Sequence, residues 1–239
     1  MVYSGNDFFI AQMGDVFLVA LILFSSIVKA QPERPLIFVE REIENVGFHR
    51  DLETSFEMKM LPHDFNDCIW AVRQNIPSGI YVDPDQLKDI ERLNLTRHTM
   101  IIIGHVKVEA PQHKSEPHDL LIFIAENFSK QKKIVVKFPF HLRYHKAVSG
   151  GGYAEVKIRK PQLLVKCDRL SLSTEKVRVF CFPNATEECN WNVVAHNEVE
   201  DIILQVPVGN SDHDTLVAAV TVMVIIMGCI AIISPLFKK

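Results

Sequence analysis

Leu216-Val-Ala-Ala-Val-Thr-Val-Met-Val-Ile-Ile-Met-Gly-Cys-Ile-Ala-Ile-Ile233 is an unbroken apolar run with no charged and no amide side chain. As a helix rising about 1.5 Å per residue it reaches roughly 27 Å, close to the hydrocarbon thickness of a thin bilayer. A core helix of a water-soluble protein has one apolar stripe, whereas this one is apolar all round and reads as a membrane span. Asp212, His213 and Asp214 precede it, and Lys238 and Lys239 follow it. Because basic residues stay on the cytoplasmic side, the short tail is expected in the cytosol and everything before Leu216 in a lumen or outside the cell. The rival reading is a signal for attachment of a glycolipid anchor at Gly209, Asn210 or Ser211. The polar spacer is short for that, and the tail ends in Ser-Pro-Leu-Phe-Lys-Lys rather than in apolar residues.

The other end has a second, shorter apolar run, Val16 to Val28, followed by Val28-Lys29-Ala30. It reads as a secretory signal cleaved after Ala30, although no Lys or Arg precedes the run. The expected organisation is therefore a signal peptide over 1–30, a lumenal domain over 31–211, a membrane anchor over 212–236 with its core at 216–233, and a cytoplasmic tail over 237–239.

Cysteines and sequons agree with that sidedness. Cys229 lies in the span, while Cys68, Cys167, Cys181 and Cys189 all precede it. An oxidising compartment would join these four as disulfides, and four cysteines permit three pairings among which the sequence does not choose. The glycosylation triplets at Asn94, Asn127 and Asn184 fall on the same side. With 239 residues and a net charge of −3, the chain is not a nucleic-acid binder by composition, and the lumenal part is long enough for one self-sufficient core.

That part reads as mostly β. Leu36–Val39, Ser55–Met60, Met100–Val108, Leu120–Ile124, Ile134–Phe138, Tyr153–Ile158, Leu163–Lys166 and Val177–Phe182 are β-branched or alternating, with Pro, Gly, Asn and Asp between them. Pro84–Leu95 is the one clear helical patch. Many short strands with turn signals give a β-sandwich-like domain on one C-terminal transmembrane helix.

No catalytic constellation stands out. His141 and His145 have the spacing of a helical metal pair, but they lack the glutamate and sit in a strand context. Asp83-Pro84-Asp85 resembles the metal-binding DxD of glycosyltransferases. A cap with proline at the first helical position explains it better. Ser149-Gly-Gly-Gly152 lacks the lysine of a phosphate loop and reads as a mobile hairpin tip.

Three stretches in fixed order carry a likeness: Ile76-Pro-Ser-Gly-Ile-Tyr-Val-Asp-Pro-Asp-Gln-Leu87, Phe138-Pro-Phe-His-Leu-Arg-Tyr-His145, and Lys160-Pro-Gln-Leu-Leu-Val-Lys-Cys167. With Val108-Glu-Ala-Pro-Gln-His113 between them and one C-terminal anchor, the chain resembles the PIG-X family, the accessory subunit of GPI mannosyltransferase I. The resemblance implies a non-catalytic type I membrane protein of the endoplasmic reticulum, without catalytic, cofactor or metal residues. Its implied partner is the polytopic catalytic subunit PIG-M, which transfers the first mannose onto the GPI precursor. Arg143, Tyr144 and His145 match the family's signature most closely and are the residues for which partner contact, packing or folding is expected. Where the family pattern has a proline soon after this triplet, Lys146-Ala147 stands here. A cell-surface recognition module on one anchor is the alternative class.

Overall fold

The structure, a computed structural model, describes residues 37–59, 68–126, 131–167 and 175–237. The signal segment, Leu36, Met60, the sequon at Asn127 and the closing lysines lie outside the described residues.

Alternation builds the first sheet. In β7 (Lys133–Leu142), Ile134, Val136, Phe138, Phe140 and Leu142 are buried, while Lys133, Val135 and Lys137 face out. A strand with one apolar face has one register that buries it. Accordingly Leu52, Thr54 and Phe56 of β2 (His49–Met58) stand opposite Phe138, Val136 and Ile134. β1 (Ile37–Glu44) pairs with β2 on its other side, and the short β4 (Ile80–Tyr81) closes the order β1-β2-β7-β4. Pro139 is tolerated inside β7 because β4 reaches only His141 and Leu142, so at Pro139 β7 has β2 as its single neighbour.

The second sheet has the order β10-β11-β9-β3-β6-β5. Its strands are β3 (Ile69–Ile76), β5 (Thr99–Ile103), β6 (His118–Phe123), β9 (Gln162–Lys166), β10 (Lys176–Phe180) and β11 (Glu188–Val194). All its pairings are antiparallel. Trp70, Val72, Ile76, Leu120, Ile122, Leu163 and Val165 join the inner face of the first sheet in one core. The opposite face is apolar too: Ala71, Leu121, Phe123, Leu164, Val179 and Trp191 form a second cluster. β8 (Gly152–Ile158) and β12 (Ile202–Val208) make a two-stranded ribbon whose Val156, Ile158, Leu204 and Val206 complete the main core.

The four cysteines that precede the apolar span are paired as Cys68–Cys167 and Cys181–Cys189. The first bridge joins the start of β3 to the end of its neighbour β9, and the second closes the β10–β11 hairpin.

β3, β4, β11 and β12 form where the sequence suggests no strand, and two further stretches take a form other than the one it suggests. Met100–Val108 stops being a strand at Ile103. Gly104 turns the chain at φ 115°, and the alternating His105–Val108 finds no partner strand because β6 begins only at His118. Ser149–Gly152 is not a hairpin tip either, since the strands it connects, β7 and β8, belong to different sheets.

Helix α1 (Pro84–Arg92) starts as the sequence indicates, with Asp83 accepting from the backbone N–H of Asp85 at 2.8 Å and of Gln86 at 3.4 Å. The Asp83 carboxylate is thereby turned to the helix, and Asp85 pairs with Lys88. Helix α2 (Asp214–Ile233) contains the apolar run. With its leading 3-10 turn it spans 23 residues, Ser211–Ile233; its most apolar 18-residue window has a mean hydropathy of 3.0, and no described residue buries that window.

Candidate functional site

The signature triplet begins one residue past β7. Arg143 is 3% exposed, yet among the described residues no carboxylate pairs with it. Its Nη1 donates to the carbonyl oxygens of Lys107 (2.6 Å), Ala110 (2.6 Å) and Val108 (3.3 Å), and its guanidinium lies 4.5 Å from the centre of the Tyr81 ring. Its own backbone N–H donates to Gly79 O at 2.8 Å. Arg143 thus ties the end of β7 to the loop after β5 and to β4 through its side chain, and to the turn before β4 through its backbone N–H. A planar guanidinium can bridge carbonyls several residues apart while stacking on a ring; an ammonium cannot do both.

The other two members diverge. Tyr144 is exposed, its ring 4.9 Å from Phe48, and its carbonyl accepts from Gln112 N–H at 2.9 Å. His145 is half-buried, with Nε2 lacking a partner and burial lowering its pKa. His141 turns elsewhere, stacking on Tyr81 and meeting Gln86 Oε1 at 3.0 Å, so it belongs to the α1 contact. Among the described residues no group of three or more His, Cys, Asp or Glu is arranged to hold a metal ion.

Gly79 is a point of close approach. A Cβ there would meet Val156 Cγ2 at 2.5 Å, pressing the Arg143-bound turn into the β8–β12 ribbon. Gly79→Ala should cost about 1–3 kcal/mol as overpacking, read as a lowered unfolding midpoint of the full chain in detergent. Unchanged stability would mean that the turn can retreat from the ribbon.

His118 packs within the field of Arg143. It is 4% exposed, and among the described residues neither ring nitrogen has a hydrogen-bond partner. Burial first and the Arg143 charge second push its pKa down from 6.5 to about 4, with Asp119 opposing. The unfolded chain therefore takes up this proton before the folded one does. Stability from neutral His118 is complete above pH ~6.5 and is lost as pH falls toward ~4. The melting temperature should fall between pH 7 and pH 5, and His118→Leu should shrink that fall. An equal fall in both proteins would place the titrating group elsewhere.

From this node the chain runs directly to the root of α2. Val148 N–H donates to Gly209 O and Ser211 N–H to Val148 O, both at 3.0 Å, forming a parallel bridge between Val148 and Asn210. Gly150 N–H donates to Asp212 Oδ2 (2.9 Å) and Asn210 Oδ1 (3.2 Å). The glycine tract read as a mobile tip is thus a clamp on the helix root. Gly150, Gly151 and Gly152 all have positive φ, which a side chain would resist. Sequence reasoning missed the clamp because the glycine backbone N–H and the side-chain oxygens it meets, Asn210 Oδ1 and Asp212 Oδ2, lie some sixty positions apart.

A mostly β domain joined to one apolar helix long enough to cross a membrane fits a single-pass membrane protein. The PIG-X / PBN1 family profile matches residues 45–237. The chain belongs to that family. It is 30% identical over 208 residues to the human "GPI alpha-1,4-mannosyltransferase I, stabilizing subunit", covering 84% of this chain and 80% of the human one. The mouse protein of the same name is 27% identical over equal coverage of this chain, 84%, and 82% of its own length. "Protein PBN1" of Gibberella zeae is 30% identical over 139 residues, 55% of this chain but 27% of the fungal protein. The mammalian names describe a subunit that accompanies a transferase, so this is an accessory chain and not the catalyst.

Proposed function

We propose that this chain stabilises the polytopic catalytic subunit of GPI mannosyltransferase I, PIG-M, in the endoplasmic reticulum, and so sustains transfer of the first mannose of the GPI anchor. The observation that carries the reading is the clamp at Gly150–Asp212 and Val148–Ser211. It makes helix and sandwich one body, so contacts made within the bilayer and above it reinforce each other. A partner that binds only when folded is stabilised by mass action, with no chemistry from this chain.

The domain lies in the lumen on this reading, and the signal segment is removed. Asn94, at φ 54° just after α1, and Asn184, in the turn between the disulfide cysteines, are both exposed and thus open to glycan transfer. Arg143, Tyr144 and His145 supply the partner-side structure, Tyr144 being the one exposed to meet it.

Purification of the tagged full chain in mild detergent tests the proposal. The expected companion is the catalytic mannosyltransferase, and the attached sugars are expected to be removed by endoglycosidase H. Complex sugars and a different companion at the cell surface would favour a recognition module instead.

A further inference from the structure

We propose that the cavity between the loop Gly104–Glu116 and Arg143 binds the phosphate of an anionic phospholipid headgroup. The inference rests on α2 crossing the membrane and is independent of the accessory role.

The cavity measures about 330 Å³ and is lined by His105, Lys107, Lys114, Ser115, Glu116 and Arg143. Three fixed positive charges there face one carboxylate. Arg143 is the unusual member: a buried charge is ordinarily paired, because taking it out of water unpaired is costly. Its Nη1 is committed to three carbonyls, but among the described residues its buried Nε has no hydrogen-bond partner and no carboxylate lies within ion-pair distance. The depressed pKa of the neighbouring His118 has the Arg143 charge as its second cause, after burial. A phosphate oxygen seated in the cavity supplies the missing anion, with the exposed Lys107 and Lys114 closing over it. Glu116 at the same wall favours a singly charged phosphodiester over a doubly charged monoester.

Position identifies the source. Gln112 N–H, in the cavity loop, donates to Tyr144 O, and four residues later Val148 is bridged to Asn210 at the helix root. Arg143 and Val148 are five positions apart, at most about 18 Å of chain. Asn210–Asp214 stand immediately before the apolar span and therefore at headgroup level. The same end of the domain exposes Tyr144 (73%), Tyr153 (73%) and Val148 (47%), and tyrosines are enriched where protein meets the headgroup layer. A basic pocket at that level is the setting in which lipid phosphates are held.

The test uses the full chain in nanodiscs of phosphatidylcholine alone or doped with phosphatidylglycerol or phosphatidylinositol. Retained lipid is counted by native mass spectrometry, and unfolding is followed in parallel. The wild type should retain the anionic phospholipid and melt at a higher temperature with it. The double variant Lys107→Gln/Lys114→Gln alters exposed residues and should melt like the wild type in phosphatidylcholine. It should bind anionic lipid about thirty-fold more weakly, at about 1 kcal/mol per lysine near the surface. Equal lipid retention by variant and wild type would overturn the site. Equal protection by inorganic phosphate would overturn the lipid as source. If anionic lipid has no effect while the variant loses its protein companion, the cavity meets protein, and the proposal fails.

Discussion

Replacing Cys68 and Cys167 together by alanine should lower the unfolding free energy by about 4.7 kcal/mol, the entropy of closing a loop of roughly 100 residues in the unfolded chain. The two cysteines are 99 positions apart, and the segment they close holds β3 to β9, including most of the core. Cys181 and Cys189 are only 8 apart. The same relation assigns their bridge about 2.5 kcal/mol. Unfolding of the two double-alanine variants in detergent, under oxidising conditions, should therefore separate them by about 2 kcal/mol. Equal losses would show that the long loop is already restricted in the unfolded chain. Either loss should reach function through the amount of folded protein, because neither bridge touches the Arg143 node or the clamp.

Arg143→Met is expected to have the next largest effect. Two terms oppose. The substitution removes a buried charge without a carboxylate, which by itself is favourable. It also leaves the carbonyls of Lys107, Val108 and Ala110 without their donor, at about 1–3 kcal/mol for each acceptor that stays buried. The charge is already solvated by those carbonyls and by the Tyr81 ring, so removing it gains little and the carbonyl term wins. A net loss of about 3 kcal/mol corresponds to a drop of roughly 6–12 °C in the melting temperature of a domain this size. Arg143→Lys should recover only part of it, since one ammonium cannot bridge Lys107 and Ala110 and also stack on Tyr81. A methionine variant as stable as the wild type would mean that the loop after β5 holds itself.

How much of this was legible in the sequence follows from where each signal resides. The span of α2 and the Asp83 cap are written in adjacent residues, and the structure has both. Of β7, which continues to Leu142, the first half, Ile134–Phe138, was legible as a β-branched run. β3 was not: Ile69-Trp-Ala-Val72 is apolar on both faces, since each face packs on its own cluster, and Arg73-Gln-Asn75 then breaks the pattern. Those polar residues are satisfied across the sheet, Arg73 and Asn75 by Asp119, and Gln74 by Asn75 O and Arg159 O. β11 and β12 were hidden for related reasons. Asn190 and Asn192 interrupt β11, and Pro207 closes β12 where the chain turns to the membrane. The segment His105–Val108 shows the converse, a strand-like period with no neighbour to pair with. Residue likeness singled out Arg143 but could not assign its role, because its partners are main-chain carbonyls, which leave no mark in a sequence.

The role of this chain as a stabiliser is tested most directly in cells from which it has been removed. Two quantities are needed: the amount of the catalytic mannosyltransferase subunit and the mannose transferred per remaining molecule. The account predicts that the amount falls several-fold while the turnover of each remaining molecule is unchanged. An unchanged amount with collapsed turnover would contradict it and assign this chain a direct part in the transfer.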